Sequence, residues 1–225
     1  VNNVKRVLSL DISSKTGWGF FKVSTSNIRL IECGRLPKTN LDANLPYPED
    51  YLQWASYTWQ EMESLLDRFN PTHIAVEETT IKVTGSNNFS QKFLEWCHYH
   101  LATYLVNNPL LDYRYFKTDE WRKVVGCNTM TDADKKHNKL YRETKKAMPD
   151  EYKTDSDGEY ILKKKKKILK PKIVKDSTGK RISLVDKKDL NIRKANELFG
   201  LNLIKKDEDI ADGALLGYAL SLQIQ

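Results

Sequence analysis

Four carboxylates sit where an acid is costly to place without a purpose. Asp11 follows the apolar, β-branched run at 4–10, Glu77 closes the run His73-Ile74-Ala75-Val76, and Asp209 and Asp212 stand three residues apart just before Ala214 and Leu215. An acid at the end of an apolar strand loses hydration that only a partner or a cation restores, so three such places in one chain suggest a shared cation. Hydrolysis of a phosphodiester by two metal ions needs that kind of set. Several hard oxygen donors hold a pair of ions about 4 Å apart, one activating water and the other steadying the leaving oxygen, with no need for His or Cys. The i, i+3 spacing of Asp209 and Asp212 puts both on one face of a helix. Each acid also has a bland reading. Asp11 could be a turn former, Glu77 or Glu78 a solvated strand end, and Asp209 a charge favoured by a helix N-terminus. For any single acid the bland reading is preferred, and the constellation reverses that preference. Glu78 points to the opposite face if its strand continues, and is only a reserve ligand.

The elements that must position these acids can be read from periodicity. The run at 4–10, the turn SSKTG after Asp11, the extended stretch at 18–23, the turn STSN and the stretch at 28–36 describe three strands in an antiparallel meander. Pro48-Glu49-Asp50 opens a helix whose apolar stripe is Leu52, Ala55, Trp59, Met62, Leu66 and Phe69. The run at 73–76 is a buried fourth strand. A second stripe, Phe89, Phe93, Trp96, Cys97, His100, Leu101 and Tyr104, leads to a fifth strand at 111–116. Ile192, Ala195 and Phe199 with Gly200 as C-cap mark one late helix, and Ala211, Leu215, Tyr218 and Leu222 the last. The order βββαβαβ followed by helices predicts an α/β fold with a mixed five-stranded sheet flanked by helices.

Composition narrows the class. At 225 residues and 40% hydrophobic content the chain can bury one good core, so a single domain over 1–225 is expected. Its apolar runs are too short to cross a membrane and no signal-peptide pattern opens it, so a cytoplasmic protein is expected. Cys33, Cys97 and Cys127 form no CxxC pair and are read as reduced and structural. The net charge of +7 is local: residues 153–194 hold 15 Lys+Arg against 6 Asp+Glu, leaving 22 against 24 elsewhere. Between 128 and 185 the periodic pattern gives way to charged, turn-rich sequence, read as an insertion. Within it, alternating apolar and basic residues flank Asp176-Ser177-Thr178-Gly179, a β-hairpin signal.

The stretch LSLDISSKTGWGFF resembles the opening of the RuvC-like Holliday-junction resolvases, which carry an acid on the first strand and then a Thr-Gly-aromatic-Gly turn. HIAVEE resembles their second motif, and EDIADGALLGYA their last. The likeness covers about two thirds of the chain and omits the insertion; the order of the motifs makes the set fairly specific. It implies an RNase H-like fold in which Asp11, Glu77, Asp209 and Asp212 are the catalytic metal ligands. It also implies a Mg²⁺-dependent enzyme, with Mn²⁺ as a substitute, acting as a homodimer that nicks opposed strands of a four-way DNA junction. YFKTDEWRKVVG resembles the family's fifth strand and following helix, making Lys117, Arg122 and Lys123 candidate phosphate contacts. Two departures stand out. An aromatic that often follows the second acid by three residues is Thr80 here, leaving Ile81 or Phe89 to wedge a junction, and the compact family members lack a lysine-rich insertion.

Five consecutive lysines, Lys163, Lys164, Lys165, Lys166 and Lys167, with Lys170 and Lys172 beyond them, form either a solvated loop or a basic arm on the DNA backbone. A nuclear localisation signal ranks below both. His98 and His100 fall on or beside the second helical stripe and are read as structural, Trp18 as core, and His137 has no assignment. Lys206 is simply a lysine near the last acids.

Three other functions compete with junction resolution. A nuclease of broader branched-DNA range, acting on flaps or forks, is the close runner-up. An actin-like sugar kinase or ATPase also opens with strand, Asp and Thr-Gly turn, but ten glycines without a Gly-rich cluster argue against it, and no nucleotide cofactor is expected. A non-catalytic DNA-binding module would have no reason to keep four acids.

Overall fold

The structure is a computed structural model. It describes residues 4–38, 44–78 and 88–225 apart from 155, 157, 158, 160, 164, 165 and 168, and gives the backbone alone at 88, 89, 162, 163, 166 and 167. Thr80 and Ile81 lie outside the described residues, as does the side chain of Phe89.

Two compact units make up the chain: Val1–Asn128 with Lys188–Gln225, and Thr129–Lys187. The first is built on a sheet of β1 (Lys5–Asp11), β2 (Gly17–Ser24), β3 (Asn27–Arg35), β4 (His73–Glu77) and β5 (Asp112–Phe116). Its spatial order is β3-β2-β1-β4-β5. The first three strands pair antiparallel as hairpins, while β4 pairs parallel with β1 and β5 parallel with β4. This is the mixed five-stranded sheet expected from the pattern. Because β1 is central and covered on both faces, Val7, Leu8, Ser9 and Leu10 are all fully buried.

Strand parity divides the core in two. Leu8, Leu10, Phe20, Ile74 and Val76 face α1 (Glu49–Phe69) and α2 (Asn88–Asn107), where Met62, Leu66, Phe93 and Leu101 complete one cluster. Val7, Phe21, Val23, Ala75 and Phe116 face the other way, toward α3 (Thr118–Val124), α5 (Lys187–Phe199) and α6 (Glu208–Ile224), with Trp121, Ile192, Ala195, Leu215 and Leu216. Asp11 has the parity of Val7 and Ser9, and Glu77 that of Ala75. Both acids therefore belong to the face that α6 covers.

Close backbone approach holds α6 in place. A Cβ at Gly17 would overlap the Asp209 carbonyl, and one at Gly213 would overlap the backbone of Gly17 and Trp18. The Ser9 hydroxyl, buried under the helix, lies 2.6 Å from the Gly213 carbonyl oxygen. Without side chains at these positions the helix start sits directly on the β1–β2 end of the sheet, beside Asp11, which pairs with Gly17 in register.

The second unit contains α4 (Asp132–Ala147) and a two-residue pairing of β6 (Leu162–Lys163) with β7 (Lys166–Lys167). Thr131 and Asp134 cap α4 reciprocally. Buried Asn138 exchanges two 2.8 Å hydrogen bonds with the Val185 backbone. The chain reverses at 176–179: Asp176 Oδ1 accepts from the Thr178 and Lys180 amides, Gly179 takes φ 82°, and Lys175 pairs with Arg181. Among the described residues, no helix of the protein is long and apolar enough to cross a membrane.

Candidate active site

Asp11 ends β1, Glu77 ends the neighbouring parallel strand β4, and Asp209 and Asp212 occupy the first turns of α6. The Asp11 carboxyl is held well above the usual carboxylate range, first by burial and then by the negative charges of Glu77, Asp212 and Asp209. The other three acids thus act on Asp11, and Glu77 acts on Asp212 as well. Asp212 is pushed up to about 6, again chiefly by burial, against the opposing help of the Asn191 amide and Arg122.

Each acid but Asp11 is held by a named protein donor. Thr118 Oγ1 donates to Glu77 Oε1 at 2.5 Å and Trp121 Nε1 to Oε2 at 2.6 Å. Asn191 Nδ2 donates to Asp212 Oδ1 at 2.6 Å, and Arg122 Nη2 lies 3.8 Å from Oδ2. Arg35 Nη1 reaches Asp209 Oδ2 at 3.5 Å. Lys188 pairs with Glu208, one residue ahead of Asp209. The donor set is all hard oxygen and strongly anionic, which suits a divalent cation such as Mg²⁺ or Mn²⁺. The side chains are not drawn to a point, however. Among the described residues, no three His, Cys, Asp or Glu side chains are close enough together to close round an ion as they stand. Glu77, Asp209 and Asp212 each meet a protein donor instead.

The candidate phosphate contacts divide. Lys117 and Lys123 are exposed at either end of α3. Arg122, between them, is held inward: its side chain is only 12% exposed, it lies 5.0 Å over the Trp121 ring, and its Nε is buried with no hydrogen-bond partner. It is a counter-charge within the acid cluster. In the second unit, Lys170 pairs with Glu151 at 3.4 Å and Lys172 with Asp150 at 2.7 Å. Lys164 and Lys165 lie outside the described residues, as do the side chains of Lys163, Lys166 and Lys167.

Thr118, Trp121, Asn191 and Arg35 are site residues that the sequence does not single out. Thr118, Trp121 and Arg122 follow β5 at helical i, i+3, i+4 spacing, a readable sign that one face of a short helix meets one site. Asn191 is a fully buried polar residue between Leu190 and Ile192, and such a residue needs a partner. The histidines stay apart from the acids: His100 stacks on Trp59, and His137 bonds to the Ser183 carbonyl. All three cysteines are free, and burial lifts the thiols of Cys97 to about 12 and Cys127 to about 11.

No protein-family model matches the sequence, and no curated protein matches it. Solved structures do match. The yeast mitochondrial Holliday junction resolvase Ydc2 is similar at TM-score 0.47 and 13% identity, covering 98% of this chain and 81% of that one. A Thermus thermophilus RuvC structure is similar at TM-score 0.52 and 11% identity, covering 97% of this chain and 96% of that one. T. thermophilus RuvC in complex with a Holliday junction substrate gives TM-score 0.53 at 11% identity with the same coverage, 97% and 96%. At such identity the likeness is one of architecture: the chain has a RuvC-like fold.

Proposed function

We propose that the chain is a divalent-metal-dependent endonuclease that resolves four-way DNA junctions by paired nicks. The observation that carries this reading is that three separate elements, β1, β4 and the start of α6, bring Asp11, Glu77, Asp209 and Asp212 to one end of the sheet, where the charges of the other three raise the half-buried Asp11 carboxyl. A partly buried anionic cluster destabilises the fold, and a bound cation offsets that cost. The architecture shared with RuvC, which has been captured with a Holliday junction substrate, supports a four-way junction as the substrate.

Asp11, Glu77, Asp209 and Asp212 would hold the metal. Two bound Mg²⁺ or Mn²⁺ ions would supply a water of lowered pKa and neutralise charge on the leaving oxygen. Thr118 and Trp121 orient Glu77, and Asn191 orients Asp212, so that these carboxylates cannot turn freely. Exposed Lys117 and Lys123 would take backbone phosphates. Two opposed nicks need two sites related by a twofold axis, so a homodimer is part of the reading. Support for it comes from α2, where Tyr99 is 64% and Val106 80% exposed. We place the inserted 128–185 segment outside the catalytic core as a basic element, and the protein in the cytoplasm with its DNA.

Purified protein with Mg²⁺ and a labelled four-way junction should give symmetric nicks, and Asp11→Asn should abolish cleavage while junction binding persists. Cleavage surviving that substitution would refute the assignment. The positive charge gathered in the insertion favours one second reading, a nuclease for forks and flaps as well as junctions. Rates on junction, fork, flap and linear duplex at one salt concentration separate the two.

A further inference from the structure

Beside the acid cluster lies a cleft of about 850 Å³ that the nuclease chemistry does not use. It is bounded by the β1–β2 turn, the end of β3 and the residues after it, one face of α1, and the chain entering α6. Its volume suits a whole small ligand, and is far more than an ion or a water needs. Four cations line it, Lys15, Arg35, Lys38 and Lys206, and among the described residues no carboxylate does. Its wall is apolar at Leu36, Trp54 and Ile210. Trp54 stacks on Phe93 at 4.1 Å, which fixes the indole as a rigid surface. Ser13, Ser14 and Thr58 add hydroxyls able to donate and accept.

Cations, a rigid aromatic and directional hydroxyls in one concavity match one ligand chemistry: a nucleotide, with its phosphates on the cations and its base against the wall. The position says which nucleotide. Ser13 is two residues beyond Asp11, Ile210 lies between Asp209 and Asp212, and Arg35 Nη1 contacts both Asp209 Oδ2 (3.5 Å) and the Lys206 carbonyl (3.3 Å). Two of the segments that carry or flank the acids, the β1–β2 turn and the start of α6, thus also line the cleft.

We infer that this cleft seats the nucleotide flanking the scissile phosphate and reads its base. The inference rests on the nuclease reading and names the part of the substrate that the neighbouring site holds. Lys15 and Lys38 anchor phosphates; the apolar wall and hydroxyls select the base, so the cleft determines which junction sequences are cut.

The test uses full-length protein and two variants on different sides of the cleft, each checked for an unchanged melting temperature. In EDTA, binding of a fluorescent four-way junction is titrated against NaCl. Lys15→Gln/Lys38→Gln should reduce the slope of log K against log[salt] by about 2, as expected when two phosphates are no longer neutralised. With Mg²⁺, junctions differing only in the base beside the cut should be cleaved unequally by wild type, and Ser14→Phe, which fills the cleft from the turn, should level those rates. Variants that keep both the wild-type slope and the wild-type discrimination overturn the inference, as does a wild type indifferent to the flanking base. Full displacement of the junction by millimolar ATP would also overturn it, making the cleft a free-nucleotide site. A wild type that cuts no DNA while the slope still falls sinks the nuclease reading and leaves the phosphate contacts standing.

Discussion

Asp212 shows what the acid cluster costs the fold. Its carboxyl titrates at about 6 in the folded chain, against 3.8 in an unfolded one. The folded state therefore binds this proton more tightly. Below pH 3.8 both states hold it and no penalty exists; between about 4 and 6 the unfolded state releases it first, so stability falls as pH rises, and above 6 the full penalty applies. In EDTA, Asp212→Asn should melt a few degrees above wild type at pH 8, with the difference closing by pH 4. An equal difference at both values would mean that packing, not charge, sets it. Arg122 offsets part of this cost by lowering both Asp11 and Asp212 from within the cluster. At this scale the acids are legible in the sequence because a carboxylate that ends an apolar run must find a partner or a cation to offset its lost hydration. The inward course of Arg122 is not, since Lys117, Arg122 and Lys123 look alike in sequence and only the packing of Trp121 tells them apart.

Elements are more legible than contacts, and glycine explains the gap. Alternation and 3.6-residue stripes mark β1 to β5, α1, α2 and the last two helices nearly to their ends, because each buries a face and periodicity records burial. Nothing periodic announces that Gly17 and Gly213 are the surfaces across which α6 meets β2. A Cβ at Gly17 would overlap the Asp209 carbonyl, and backbone cannot move aside as a flexible side chain can. Gly17→Ala should therefore cost at least the ~1–3 kcal/mol typical of overpacking, read from chemical denaturation. It should also lower cleavage beyond what the stability loss explains, by moving Asp209 and Asp212 relative to Asp11. Wild-type activity in a destabilised Gly17→Ala protein would show that the helix start adapts without moving its acids. The cleft beside these residues is equally hidden, being assembled from four segments that share no pattern in the chain.

Charge separates the two units of the whole molecule. Thr129–Lys187 holds 18 Lys+Arg against 10 Asp+Glu, while the sheet-bearing unit holds 19 against 20. A nearly neutral sheet-bearing unit gains little long-range attraction for a polyanion, so the second unit must supply most of the electrostatic affinity if the chain binds DNA. Not every lysine in it is available, since Lys170 and Lys172 already pair with Glu151 and Asp150. The run Lys163–Lys167 is the densest remaining charge. Replacing all five with Gln should flatten the salt dependence of junction binding by up to about 0.9 for each phosphate that is no longer neutralised. Backbone contacts carry no sequence information, so affinity for junction and for linear duplex should fall by the same factor, and the flanking-base preference of cleavage should be untouched. A loss confined to the junction would make the run a shape-reading element instead. An unchanged salt slope would make it a solvated loop whose charge serves solubility alone.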